Sequence, residues 1–464
     1  MSSALFYWRE FSRPGLAGRK TLSRLMTKIG ILPDDDKTNG WTRYLPPRTP
    51  NPPLEGKIRA DWLVIGAGFA GLAAARRLTE NRPHDHIVIL DAQKAGDGAS
   101  GRNAGFAIDL PHNVSSSLEQ LEKSNSYRGL ARAAIDYLQQ QIDRYNIACD
   151  WEQRGKFHGA VTDHGIREVL EPTRAEMEKL QEPYIWYEGE ELAKRLGTNH
   201  IKAAIYTYGT YLLNPAALIR GLADNLPANV TLFENTPVTA IDYAERINAT
   251  TKTGSVDAAQ LILTVNGFGE QFGFFNRRLL NFAAHASLSR PLNHQEYAEI
   301  GCIEPWGLTP ANSFAGITMR LTPDRRILIR QNVHFCPSLR QSDERRKEIS
   351  KEHKQLFDER FPMLPEVEMQ STWTGYICIS RNGAPGFGRL AKNVYTSLCQ
   401  NGVGITKGTI GGLLAADMAC GVDNPLIKDM LDLGSPTKLP PRPFLDLGVR
   451  TRFAWELWRA RGEI

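Results

Sequence analysis

Gly66-Ala67-Gly68-Phe69-Ala70-Gly71 carries the spacing GxGxxG, preceded by the mostly apolar run Ala60 to Ile65 and followed by the alanine-rich run Gly71 to Leu78. Alone, this spacing is a weak signal. Its setting strengthens it: a short buried-type strand, Ala60 to Ile65, feeds the glycines, and a helix, Gly71 to Leu78, leaves them and closes at the Asn81-Arg82-Pro83 turn. A second strand, Ile87 to Leu90, ends at Asp91, 20 residues beyond Gly71. The first glycine permits the tight turn, the second admits a pyrophosphate to the backbone, and the third lets helix and strand pack closely. The helix start offers free N–H groups and the positive end of its dipole to phosphates, while the acid accepts hydrogen bonds from ribose hydroxyls. The pattern predicts a dinucleotide-binding βαβ unit with contacts from Gly66, Ala67, Gly68, Phe69, Ala70, Gly71, Asp91 and the adjoining Ala92.

The chain around this unit has 464 residues, 42% hydrophobic and 23% charged, which fits a globular protein of two domains and excludes a disordered or fibrous one. No stretch approaches the roughly 18 uninterrupted apolar residues of a spanning helix. The net charge of +5 is uneven: residues 1–60 hold 11 Lys/Arg against 5 Asp/Glu, a balance of +6 that leaves the remainder at −1. A general nucleic-acid-binding surface is therefore not expected. Cysteines at 149, 302, 336, 378, 399 and 420 form no CxxC pair and no zinc spacing. No metal site is expected, and reduced thiols in a cytoplasmic protein fit this pattern.

Ahead of the unit lies an extension, residues 1–57. From Leu16 to Leu32, Leu22, Leu25, Met26 and Ile29 share one helical face among Arg19, Lys20, Arg24 and Lys28. Such a basic amphipathic helix suits a membrane surface or a transit peptide, or it packs on the body or a sister subunit. Leu45 to Pro53 reads as a proline-rich extended linker. Beyond the unit, residues 127–145 and 166–182 read as helices. Pro215 to Leu226 is a helix with proline in its first turn. Val230 to Phe233, Val238 to Asp242 and Leu261 to Val265 are strands. Residues 283–335 alternate in the β manner, residues 343–360 form a charged helix, and Val394 to Leu398 leads through glycines into a helix at 409–420. The order is nucleotide unit, helical insert, α/β stretch, β-rich insert and α/β return.

Several segments together resemble the D-amino acid oxidase-like family of FAD-dependent oxidoreductases. Gly98-Ala99-Ser100-Gly101-Arg102-Asn103-Ala104-Gly105 is similar to the loop that runs beneath the flavin there. Asn214 to Ala223, Val238 in Asn235-Thr236-Pro237-Val238, Trp373-Thr374-Gly375, Asn382 to Pro385 and Gly402-Val403-Gly404 through Gly411 match further family segments in order. The gamma-glutamylputrescine oxidase branch shares the Gly98–Asn103 loop. Three features depart from the family: Asp91 replaces a usual Glu, Thr264-Val265-Asn266-Gly267 replaces a small-Ala-Gly-Gly turn, and Val403 stands where histidine is common.

The resemblance implies an α/β fold, with a Rossmann-type FAD-binding domain from discontinuous segments (58–113, 214–281 and 372–433). A β-rich α+β substrate domain (114–213 and 282–371) and a tail (434–464) complete it. It implies non-covalent FAD, further contacted by Gly98, Ala99, Ser100, Arg102, Asn103, Ala104, Val238, Asn266, Gly267, Gly402, Val403, Gly404, Ile405 and Thr406. Cys378 raises covalent attachment, but its offset from Ser380 is one residue wrong. The implied reaction is hydride transfer from a small amine or amino-acid-like substrate, a polyamine derivative or an N-substituted amino acid, giving an imine that hydrolyses. Candidate active-site groups are His285, Arg326 and Arg330 (a bidentate carboxylate clamp), the aromatic walls Trp373 and Tyr376, and Lys407. For each, a plain core or surface role is the alternative, and for Arg102 the alternative is fixing its own loop. An NAD(H)-linked dehydrogenase and a non-catalytic flavoprotein subunit remain rival readings. The tail mixes Phe453, Trp455, Leu457 and Trp458 with Arg450, Arg452, Arg459 and Arg461, which suits its own body, a subunit contact or a membrane.

Overall fold

The computed structural model describes residues 26–111, 118–312, 315–460 and 462–463, the side chains of 118–122 excepted. Two large sheets organise them. In the first, five strands run parallel in the order Val230–Phe233, Ile87–Leu90, Gly56–Ile65, Gly254–Leu263 and Val394–Leu398. Ile87–Leu90 and Val394–Leu398 are buried at every residue, because helices cover both faces of a parallel sheet. The helices Phe69–Asn81 and Gly404–Cys420 pack together on this sheet. A Cβ on Gly412 would come within 2.0 Å of Ala70 O, so only glycine allows that approach.

The second sheet has eight strands, in the order Met369–Ile379, Leu280–Ser289, Ile327–Phe335, Thr318–Leu321, Trp306–Pro310, Lys156–Ala160, Ala203–Thr207 and Tyr184–Glu188. Its two faces have different partners. Met319, Ile327 and Ile329 pack against Phe357 and Phe361, beneath the charged helix Asp343–Arg360. On the other face Ala286, Leu288, Leu328 and Trp373 meet Trp41 and Ala216. That second face looks toward the nucleotide domain.

Several elements differ from the sequence-based expectation at their ends. The helix expected from Gly71 starts at Phe69, and the one expected from residue 409 starts at Gly404, since glycine-rich turns continue directly into helix here. Residues 166–182 divide into a π-turn, Ile166–Leu170, and a helix, Glu171–Lys179. Met369–Ile379 lies in the eight-stranded sheet, so the chain returns to the nucleotide sheet only at Gly386–Ala391.

The largest correction concerns the extension. Most of the expected basic helix, residues 16–25, lies outside the described residues. Its last part is no helix: Thr27–Lys28 is a strand paired antiparallel with Ala240 and Ile241. Ile29 is buried, and its N–H donates to Thr239 O at 2.9 Å, so edge pairing displaces the helical preference. The proline-rich stretch is fastened as well. Arg48 pairs with Asp224 and Glu234, and Asn51 N donates to Glu234. Among the described residues, no helix is long and apolar enough to cross a membrane.

Candidate cofactor and active site

The glycine turn places its helix start over an open cavity. Leu72 N is the first amide of that helix to find a carbonyl four residues back, at Gly68 O (3.0 Å). The earlier amides point outward, as anion binding requires. Phe69 N donates to Ser100 Oγ, so the second loop already touches the phosphate turn. Gly66 has φ +105° and Gly71 lies against Gly66 O, where a Cβ would sit 1.7 Å away. The helix Gly404–Cys420 presents a second uncapped start to the same cavity, because Lys407 N is its first amide to bond back, to Val403 O.

Asp91 stands where the ribose acid is expected. Its Oδ2 accepts from Ala67 N at 2.6 Å and its Oδ1 from Gln93 N at 2.8 Å. Burial pushes its carboxyl up to about 6 despite those two bonds. The cavity is lined by Asp91 and Val238, by Ser100 and Gly402, and by Tyr376 and Cys378. Two orphaned acceptors line it: Asn281 Oδ1 and Gln400 Oε1 are buried without a partner. The Asn281 amide donates to Gly267 O and the Gln400 amide to Ser397 Oγ, which leaves each carbonyl oxygen free for a ligand donor. The ribityl hydroxyls and the flavin N–H of FAD are donors of that kind, and the two helix starts suit its pyrophosphate. The residues present therefore fit FAD.

Of the expected cofactor contacts, Gly66 to Ala70, Asp91, Ala92, Gly98 to Ser100, Arg102, Asn103, Val238, Asn266, Gly267, Gly402 and Gly404 line the cavity. Gly71, Ala104, Val403, Ile405 and Thr406 stand behind it, and Thr406 Oγ1 donates to Ile108 O. Arg102 spends its guanidinium on Asp97 O, Thr374 O and Asp36, which is the loop-fixing role. Asn103 likewise closes its own loop, through Ser100 O and Gly105 N.

The active-site candidates have different surroundings. Tyr376 lines the cavity, and burial raises its phenol. His285 lies on the face beneath the charged helix, fully buried, bonded to Thr374 Oγ1 and stacked on His334. Arg326 is consumed by Asp324, Ser289 O and Gln370, with its guanidinium 3.8 Å from the centre of the Tyr44 ring. Trp373 is core, its indole N–H donating to Arg102 O and its ring edge-on to Trp41. Lys407 is buried rather than exposed, its ammonium 4.9 Å from the centre of the Tyr127 ring, and desolvation lowers its pKa to about 8. Arg330 stands opposite Ala286 and Thr318, on the face turned to the nucleotide domain. It donates to Thr318 Oγ1 and forms no ion pair among the described residues, and burial lowers its pKa to about 10.

Sequence reasoning missed a third wall. Ile29, Ile31, Leu32, Pro33 and Asp34 of the extension line the cavity. Asn39 Nδ2 donates to Gly96 O and Gly101 O, clamping the Gly98–Asn103 loop from outside. Only the acidic run Asp34-Asp35-Asp36 hinted at this, and nothing in its spacing named Arg102 as the partner.

The family profile described as DAO, FAD dependent oxidoreductase, matches residues 61–418. A probable oxidoreductase OrdL of Haemophilus influenzae is 25% identical over 389 residues, 81% of this chain and 86% of its own. Gamma-glutamylputrescine oxidoreductase of Escherichia coli is 26% identical over 387 residues, 79% of this chain and 85% of its own. Among solved structures, glycine oxidase from Geobacillus kaustophilus superposes with a TM-score of 0.68 at 17% identity, covering 83% of this chain and all of that one.

Proposed function

The chain belongs to the DAO family of FAD dependent oxidoreductases, and on that premise we propose that it oxidises a C–N bond of a small amine or amino-acid-like molecule. One observation carries the reading: Asp91, the glycine turn, the Gly98–Asn103 loop and Tyr376 line one and the same cavity. Bound FAD supplies the two-electron acceptor for a hydride leaving the substrate carbon. The chain's own residues hold, orient and desolvate. Asp91 and the glycine turn would hold the adenosine half, and the uncapped start of the Gly404–Cys420 helix would offer positive charge to a reduced flavin. Tyr376 walls the substrate end. Arg330, partly buried, with Thr318 Oγ1 as its hydrogen-bond partner and no ion pair among the described residues, suits a substrate carboxylate. The substrate nitrogen must lose its proton before the hydride departs; the resulting imine takes up water and separates into a carbonyl compound and an amine or ammonia.

Likeness to gamma-glutamylputrescine oxidoreductase supports a polyamine derivative or an N-substituted amino acid as substrate. An anaerobic screen of primary, secondary and N-substituted amino acid amines against the purified yellow protein tests this. Bleaching of the flavin band by at least one class is expected. A protein that no amine bleaches would be a non-catalytic flavoprotein, and a colourless one that binds only NADH would be an NAD(H)-linked dehydrogenase.

A further inference from the structure

The tail helix Phe444–Arg459 lies on the body by one narrow face. Leu445, Val449 and Phe453 pack on Leu280, Phe282 and Leu439, and Phe453 stacks on Phe282 at 6.1 Å. Just beyond the helix, Glu463 anchors the chain end: its buried carboxylate accepts from Val161 N and Thr162 N. The helix is thus pinned at both ends, and it contains no buried residue. Its outward stripe is apolar. Phe444 is 69% exposed, Leu447 67%, Trp455 40% and Trp458 71%; at spacings of three, eight and three residues they share one helical face, with Thr451 between the two pairs.

Charge is sorted around that stripe. Arg450 borders one side, and Arg452 and Arg459 border the other, both over the Trp455 ring. The acids turn inward, Asp446 beside Arg442 and Glu456 bonded to Arg452. Exposed tryptophan, leucine and phenylalanine between flanking arginines is the composition of a helix lying in a lipid interface, where the arginine stems snorkel to the phosphates.

From this arrangement we propose that the tail helix docks the protein on an anionic lipid surface, laying Phe444, Leu447, Trp455 and Trp458 into the headgroup boundary. A second copy is a poor occupant, because an isologous contact through one helix would set Arg450, Arg452 and Arg459 against their own copies. Residues 1–25 are a poor cover for the same reason, carrying Arg9, Arg13, Arg19, Lys20 and Arg24 against Glu10 alone. The basic flanks match anionic headgroups instead.

Flotation of the full-length holoprotein with vesicles tests the proposal. Binding to phosphatidylglycerol–phosphatidylcholine vesicles is expected, with binding to pure phosphatidylcholine weaker by about tenfold or more, since each basic side chain adds attraction to an anionic surface. Trp455→Ser/Trp458→Ser should abolish flotation while flavin content and thermal unfolding stay unchanged. Arg450→Gln/Arg452→Gln/Arg459→Gln should remove the preference for anionic lipid. Unaltered flotation of the tryptophan variant would overturn the proposal. So would a wild-type protein that ignores vesicles, or a dimer in solution that the tryptophan variant dissociates.

Discussion

Asp36 Oδ1 accepts a hydrogen bond from Arg102 Nη2 at 2.7 Å, joining the chain ahead of the first nucleotide strand to the Gly98–Asn103 loop. The other oxygen of Asp36 lies 3.3 Å from Arg346 Nη1, on the helix that covers the second sheet. One carboxylate therefore ties three separate parts of the fold together.

Removing it should be costly. Asp36 and Arg102 expose only 10% and 5% of their side chains, and a buried charge left without its partner costs about 3–5 kcal/mol. Asp36→Ala should lower thermal stability by that order and release FAD at protein concentrations where the parent retains it. Differential scanning calorimetry and filtration of free flavin measure the two effects. Burial raises the Asp36 carboxyl, but the bonds and charge of Arg102 outweigh it and hold it below its ordinary value. The contact's contribution is thus present above the ordinary carboxylate range and is lost as pH falls through and below it.

FAD affinity should depend on pH through Asp91. Its carboxyl is pushed up to about 6 by burial, and the charged form accepts ribose hydroxyls better than the neutral acid does. Affinity is expected to be flat above about pH 6 and to fall below it, approaching tenfold per unit for a single proton. Quenching of flavin fluorescence by the apoprotein from pH 5 to 8 follows the curve. Asp91→Asn should bind more weakly and without the bend; a bend that persists would assign it elsewhere.

The orphaned oxygens of Asn281 and Gln400 should be filled by the cofactor. Gln400→Met keeps the shape and removes the acceptor, so FAD binding should weaken by about tenfold, the worth of a hydrogen bond near 1–1.5 kcal/mol. Apoprotein unfolding temperature should change little, because the unpartnered oxygen and the amide's bond to Ser397 Oγ are lost together. An isothermal titration of apoprotein with FAD, set beside the apoprotein melt, reads both.

Arg330→Leu should separate substrates by their charge. For a carboxylate-bearing amine, loss of a charge-assisted bond predicts a KM raised about tenfold to a hundredfold, while an amine without a carboxylate keeps its KM. Equal losses for both would take the carboxylate away from Arg330.

Gly412→Ala probes the packing of the two cofactor helices. Its Cβ would fall 2.0 Å from Ala70 O, so the Gly404–Cys420 helix must shift from the Phe69–Asn81 helix. A stability loss of about 1–3 kcal/mol is expected in urea unfolding, as for other overpacked contacts.

The sequence by itself determined the nucleotide unit and its cofactor family. Glycine spacing, strand, helix and Asp91 fall within some 30 residues, and each acts through local backbone geometry, so a linear reading captures them. The resemblance carried by the Gly98–Gly105 and Gly402–Gly411 segments narrowed the dinucleotide to FAD, in agreement with the family profile. Only the tertiary structure decided which candidates meet the cavity. Tyr376 lines it, whereas His285 and Arg330 do not; these two lie on neighbouring strands of one sheet, yet the register, with His285 opposite Gln331 and Arg330 opposite Ala286, leaves them on opposite faces. The extension shows the same limit. Ile29 to Asp34 become a cavity wall through pairing with a strand some 210 residues later, and Asp36 meets Arg102 across 66 residues. Such contacts depend on which surfaces folding brings together, and local spacing carries no record of them.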